Sequence, residues 1–194
     1  PAGKLQNSAA DILRALSGIM TDDEMLRRDI SDISRTILGR YIDFGILRAQ
    51  KLFLGGSDPS EVMEETLRLN RILAGVLSWH EDFSLWASLR RLRSVTDTNP
   101  DFETTLKRNA ENGYCRSYIY ENAEFLYVPE MEILFDEVKK AGNGVVDRER
   151  VKARAGQNRR RFYELPLEEM NRREHRPLPE LLNEAAAIIG RLEF

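Results

Sequence analysis

The chain has 194 residues, 42% of them apolar and 31% charged, with a net charge of −3. That length suits one domain with a real core, roughly 70% of its unfolded surface leaving water. The composition suits a globular, helix-rich protein and excludes a disordered one. The acidic balance argues against a global nucleic-acid footprint, and no apolar run approaches the roughly 18 residues of a membrane span.

The chain holds one cysteine, Cys115, and two histidines, His80 and His175. A lone cysteine excludes an internal disulfide and a cysteine zinc cluster, and two distant histidines make no metal motif. No sequence signature asks for a cofactor. No signal peptide is evident, and the chain opens at Pro1, as a processed piece of a longer protein would. Localisation stays open.

Ser8 and Asp11 predict a first helix with Ile12, Leu13 and Leu16 on one face. Thr21-Asp22-Asp23-Glu24 reads as a capping box that opens a long second helix. Leu26, Ile30, Ile33, Ile37, Tyr41 and Phe44 form its expected core stripe, and Gly55-Gly56 its stop. Asp58-Pro59-Ser60-Glu61 restarts the chain with an N-cap, a proline at the first helical position and a glutamate at the third. Val62, Met63, Thr66, Leu69, Leu73 and Val76 follow at helical spacing. A turn over Trp79-His80-Glu81-Asp82 leads to Phe83, Trp86, Leu89 and Leu92, and Asn99-Pro100 starts the next helix. Strand signals are nearly absent.

The stretch "NGYCRSYIYENAEFLYVPEM" (residues 112–131) holds four of the six tyrosines. At 100° per residue, Tyr114, Phe125, Tyr118, Cys115, Leu126, Ile119 and Ala123 share one half of a helical wheel. Arg116, Ser117, Glu121 and Glu124 share the other, with Tyr120 and Tyr127 among them. The cluster therefore reads as core. Asn122 lies in the apolar half and needs a hydrogen-bond partner there. Pro129 is expected to end or kink the helix before Met131, Leu134, Phe135 and Val138 resume the pattern. Tyr120 and Tyr127, on the polar side, and Trp79, in its turn, are the candidate interdomain contacts; at least two of the three are expected to be exposed.

Gly142-Asn143-Gly144 is the clearest break, giving a helical bundle over 1–141 and, over 142–194, a basic connector and C-terminal helices packed on the same domain. From Lys139 to Arg176 twelve Lys and Arg stand against six Asp and Glu. No recognition motif makes "RERVKARAGQNRRRF" a nucleic-acid element, and it reads as a solvated helical face. Pro177 and Pro179 lead into a short last helix. The expected fold is all-α, an antiparallel bundle of about six to eight helices. No phosphate loop, nucleophile elbow or evident carboxylate pair in a cleft appears, so no catalytic residue is assigned. His80 belongs to an interhelical turn.

"RRDISDISRTIL" resembles a tyrosine-aspartate-leucine-x-aspartate-hydrophobic-x-arginine-glutamine segment in the C-terminal helical domain of α-N-acetylglucosaminidases, glycoside hydrolase family 89. Asp29, Ile30, Asp32, Ile33 and Arg35 match; Arg28 and Thr36 stand where tyrosine and glutamine would be. "FSLWASLRRLRS", Asn109, "FLYVPEMEILFDEV" and "NRREHRPLPELLNEAAAII" are similar to later segments, in order. Between Asn109 and Tyr127 the chain is shorter than the family and lacks a tryptophan-glycine loop that helps wall the sugar pocket. Direct sugar contact is thus not among the things implied, and the catalytic glutamates belong to a barrel domain this chain does not contain.

The resemblance implies a non-catalytic accessory domain of a larger glycoside hydrolase, packed against the catalytic barrel and shaping the cleft rim. Its partners would be that barrel and, through the parent, a carbohydrate, with neither nucleic acid nor membrane. A free-standing helical interaction module, binding an acidic partner through the basic C-terminal stretch, is the alternative.

Overall fold

Asp23 opens the longest helix. Its carboxylate accepts the Leu26 N–H at 3.1 Å, and the Thr21 hydroxyl accepts the N–H of Asp23 at 3.0 Å. The cap thus sits two residues inside the expected box. The computed structural model describes residues 2–19, 21–97, 99–111, 119–142, 144–170 and 176–192. Cys115, His175, and the part of the aromatic stretch that carries Tyr114 and Tyr118 lie outside the described residues.

Among the described residues the chain is all-helical, with no strand. α1 (Ala2–Ser17) starts before Ser8. α2 (Glu24–Leu54) runs 31 residues, about 46 Å; beyond it Gly56 takes a φ of +73°, a conformation glycine adopts at little cost. α3 (Ser60–Leu77) begins one residue later than the proline rule predicts, and Asp58 still serves its start by accepting the Ser60 N–H at 2.9 Å. A 3₁₀ turn (Glu81–Phe83) leads to α4 (Leu85–Arg93), and α5 (Pro100–Glu111) is capped by Asn99, which accepts the Phe102 N–H. A short turn α6 (Tyr120–Asn122) and a π turn (Ala123–Tyr127) run directly into α7 (Val128–Ala141). α8 (Arg148–Glu164) and α9 (Leu178–Arg191) follow. With α6, the π turn and α7 taken as one continuous helix, the bundle falls within the expected six to eight.

α2 and α3 form the tightest pair, and α9 lies along both α1 and α3. Leu181, Leu182, Ala185, Ala186, Ile188 and Ile189 are all at most 2% exposed, so the last helix is central to the main core and not an appendage. A smaller second core gathers Leu85, Leu89, Leu126, Phe162, Leu167 and Met170, from α4, the π turn, α8 and a 3₁₀ turn.

The expected core stripe of α2 is corrected in part: Ile30 is buried and Ile37 and Tyr41 pack against the main core, but the stripe is not the inward face. The residues α2 buries are Ile30, Ser31, Ser34, Leu38, Gly39, Ile42, Gly45 and Ala49, while Ile33 is 46% and Leu26 39% exposed. Small residues win the inward face because α3 comes too close for large ones. A Cβ on Gly45 would sit 2.1 Å from the Thr66 hydroxyl.

Pro129 does not end its helix. It lacks the N–H that would bond to Phe125, four residues back. The chain answers with a π turn upstream, and the Asn158 side-chain amide, from α8, donates to the Phe125 carbonyl at 2.9 Å. Asn158→Leu, which strands that carbonyl, should lower stability by about 1–2 kcal/mol. Chemical denaturation checks it, and a change within error would show that the carbonyl is satisfied otherwise.

The wheel carries one phase across Ile119, which is extended, whereas the helix starts at Tyr120. That first turn is buried on every side, four successive residues from Tyr120 to Ala123 being at most 4% exposed. Tyr120 and Glu121, assigned to the polar half, are 4% and 0% exposed. Asn122 is fully buried as expected, and its amide donates to the Ala110 carbonyl at 3.1 Å.

Candidate docking groove

The three aromatics expected to form an exposed face do not form one. Tyr120 is buried beside Phe125, edge to face with ring centroids 6.5 Å apart. Tyr127 is half-buried and touches both cores. Trp79 is half-buried against the main core, and its indole N–H donates to the Arg176 carbonyl at 2.9 Å, fastening the segment that leads into α9. An indole in a turn finds a place because α9 returns beneath it. The docking face assigned to these residues is therefore corrected: their rings serve this chain's own packing.

His80 also turns inward. It is 9% exposed, its Nδ1 accepts the Asp82 N–H at 3.1 Å, and so it caps the 3₁₀ turn.

A broad concavity lies elsewhere, where the C-terminal half of α2, the face of α7 and the start of α8 border about 640 Å³. Phe53 and Leu54 form one wall, Leu134 and Val138 the floor, and Val145 and Val151 the other wall. Leu54 and Val145 are 75% and 92% exposed, so the apolar surface spills over both lips. The charged residues lining it are Arg148 and Lys152, both basic and both on the α8 side.

A second hollow of about 580 Å³ continues from it, sharing Ile46, Leu134, Val151 and Lys152. Its far end is polar. Arg159 of α8 places its Nε 2.9 Å from both Glu111 of α5 and Glu130 of α7, and the Tyr163 hydroxyl donates to Glu111. Burial holds the Glu130 carboxyl above the usual carboxylate range against the pull of Arg159. Burial, and then the bond to Glu111, push the Tyr163 phenol up to about 12.

Sequence reasoning missed this carboxylate pair because its members lie on different helices and meet only across α8. It is not an open acid–base pair. A glycosidase leaves its carboxylates free across a gap of about 5–9.5 Å for sugar or water, and here a guanidinium occupies the space between them.

The basic stretch stays largely solvated, every Lys and Arg from Arg148 to Arg161 being exposed except Arg154, but three of its arginines also meet carboxylates of other helices. Arg154 bonds Glu137 at 2.8 Å, Arg150 approaches Glu137 at 3.4 Å, and Lys140 closes on it at 3.2 Å. Glu137 is 2% exposed, and the three cations together hold its carboxyl below the usual range against the opposing effect of burial. Lys107, also 2% exposed, donates to the Tyr163 and Leu165 carbonyls at the end of α8. Burial lowers its pKa, but both bonds are the cap of a helix C-terminus, not a reacting arrangement.

Among the described residues no group of three or more His, Cys, Asp and Glu is placed to hold a metal ion, and no helix is long and apolar enough to cross a membrane. No protein-family model matches the chain, and neither a curated protein nor a solved structure shows significant similarity to it.

Proposed function

We propose that this chain is a non-catalytic helical docking domain that receives an amphipathic helix in the α2–α7–α8 groove. The observation that carries this is a 640 Å³ apolar groove whose charged lining is Arg148 and Lys152 alone. A groove walled by leucine, valine and phenylalanine suits the apolar face of a helix with anchors at i, i+3, i+4 and i+7. Two basic residues on one lip suit acidic residues along that helix's flank, a match that favours one orientation and speeds encounter. This places the acidic-partner alternative at the first turns of α8, where Arg148 and Lys152 line the groove; Lys152 also holds an exposed pair with Glu149 on its own helix at 2.8 Å.

The test is a titration with two helical peptides that share an apolar stripe, one acidic on its flank and one basic. The acidic peptide should bind at least tenfold tighter, and Arg148→Glu/Lys152→Glu should invert the preference. Absence of binding by either peptide, or a preference indifferent to the reversal, overturns the reading.

A second reading, the accessory domain of an α-N-acetylglucosaminidase-like glycoside hydrolase, is favoured by one specific observation. Two segments that carry the resemblance meet in space: the Arg35 guanidinium of the first lies 5.6 Å from the centre of the Phe83 ring, at the start of the second. In that reading the groove's occupant belongs to the parent's catalytic part. Under both readings the purified chain does not hydrolyse aryl glycosides. Turnover abolished by Glu111→Gln or Glu130→Gln would overturn both.

A further inference from the structure

The outward face of α2 carries an apolar pattern that the bundle leaves uncovered. Leu26, Ile33, Leu47 and Leu54 are 39%, 46%, 63% and 75% exposed. Together with Arg40, also exposed, they recur every seven residues over the length of the helix. Ile37 and Phe44, half-buried, fall in the alternate positions. On a helical wheel this seam is centred on Arg40, opposite the buried Ser31, Leu38, Ile42 and Ala49. Repeats of seven keep one face of a helix against a second helix, as the buried Ser31, Leu38 and Gly45 do on the inward side of α2.

Charge along the helix selects the partner. Within α2, the half from Glu24 to Arg35 carries three acidic and three basic residues, and the half from Thr36 to Leu54 three basic and one acidic. What is ordered is the charge on the seam itself, with Asp29 toward its start and Lys51 toward its end. The seam is also symmetric about Arg40. If two copies lie antiparallel with a twofold axis there, Ile33 faces Leu47 of the other copy and Leu26 faces Leu54. Asp29 and Lys51, both exposed, stand eleven residues either side of Arg40 and face each other twice. Asp43 lies one turn from Arg40 and faces the same seam, placing a carboxylate from each copy near the two arginines at the axis. A parallel pair would instead set Asp29 on Asp29 and Lys51 on Lys51.

We propose that the outer face of α2 is a self-association surface, on which a second copy of this chain packs its own α2 antiparallel about Arg40. The surface shares Leu54 with the groove and Asp43 with the hollow that continues from it. A seam of this size, narrower than the interfaces of permanent dimers, gives a Kd on the order of 10–100 µM.

Sedimentation velocity over about 5–500 µM should show a reversible monomer–dimer equilibrium. Ile33→Glu/Leu47→Glu, both at exposed positions, should weaken it at least tenfold while leaving the far-UV circular dichroism unchanged. Asp29→Lys and Lys51→Asp should each weaken it roughly threefold to tenfold, and the double exchange should restore it. In a Cys115→Ser background, Arg40→Cys should cross-link to itself on oxidation. Leu26→Cys should cross-link to Leu54→Cys and not to itself. A chain monomeric at about 500 µM overturns the proposal and leaves the seam to an unlike partner. Self-cross-linking of Leu26→Cys assigns a parallel pair and overturns it equally, as does a dimer indifferent to the double glutamate variant.

Discussion

Glu121→Ala should remove about 3–4 kcal/mol of stability, lowering the melting temperature by roughly 6–16 °C for a chain of this length. The Glu121 side chain is fully buried, yet it has three donors: the Ser84 hydroxyl at 2.8 Å, the Leu85 N–H at 2.7 Å and the Trp86 N–H at 3.0 Å. The last two are among the N–H groups that α4 cannot satisfy within itself. Glu121 therefore closes the start of α4 from a distant part of the chain, and its charge suits the positive end of the helix. Alanine would leave these donors unmet where Ser84 is 1% and Leu85 8% exposed, at about 1–3 kcal/mol for each one that water fails to reach. Glu121→Gln keeps the shape and one acceptor but turns an amide N–H₂ toward donors, so its loss should be intermediate, about 1–2 kcal/mol. Thermal unfolding followed by circular dichroism distinguishes the two. A loss of less than 1 kcal/mol for the alanine variant would show that α4 is capped in some other way.

A second large effect is expected at Gly45. Gly45→Leu should cost about 3 kcal/mol or more, although it adds a better helix former to the middle of α2. The Thr66 hydroxyl would lie 2.1 Å from the new Cβ, the Thr66 methyl 3.0 Å and its Cβ 3.1 Å. Rotating the threonine exchanges one clash for another, and its hydroxyl is engaged by donating to the Val62 carbonyl at 2.6 Å. The helices must separate, which loosens the whole α2–α3 contact. Gly45→Ala should cost less, and Thr66→Ala should recover part of that loss, leaving a coupling energy in a double-mutant cycle. Additive losses would mean that the two residues do not meet.

The helices themselves were legible because their signals are local. Asn99, Asp58, the paired glycines after α2 and the break at Gly142 each act within a few residues, and each marks an element edge near where it stands. Asn122 was legible for a similar reason, an amide among apolar neighbours. What periodicity could not give was the side of α2 that meets the core. Its most regular apolar stripe points outward, and its inner face is chosen by the close approach of α3, a fact about another segment. Glu121 and Tyr120 were misplaced because the first turn of their helix is buried on every side, with Glu121 taken up by the start of α4, and a wheel divides a helix into an inner and an outer half. The groove was not legible at all. Its two walls come from residues about 100 positions apart, and the arginines of α8 that pair with other helices look, in sequence, the same as those that do not.

The position of α9 bears on how the chain is made. The core built by α1, α2 and α3 stays open along the strip that α9 covers until that helix has left the ribosome. About 110 residues separate the end of α3 from the end of α9, roughly 6–23 s of synthesis at 5–20 residues per second. Through that interval Leu13, Leu69, Ile72 and Leu73, all at most 2% exposed in the finished fold, lack part of their cover. Nascent chains arrested before Pro177 should accordingly be protease-sensitive and held by chaperones. Chains released after α9 should become resistant in a single step, and early resistance would mean that the three N-terminal helices close on themselves first.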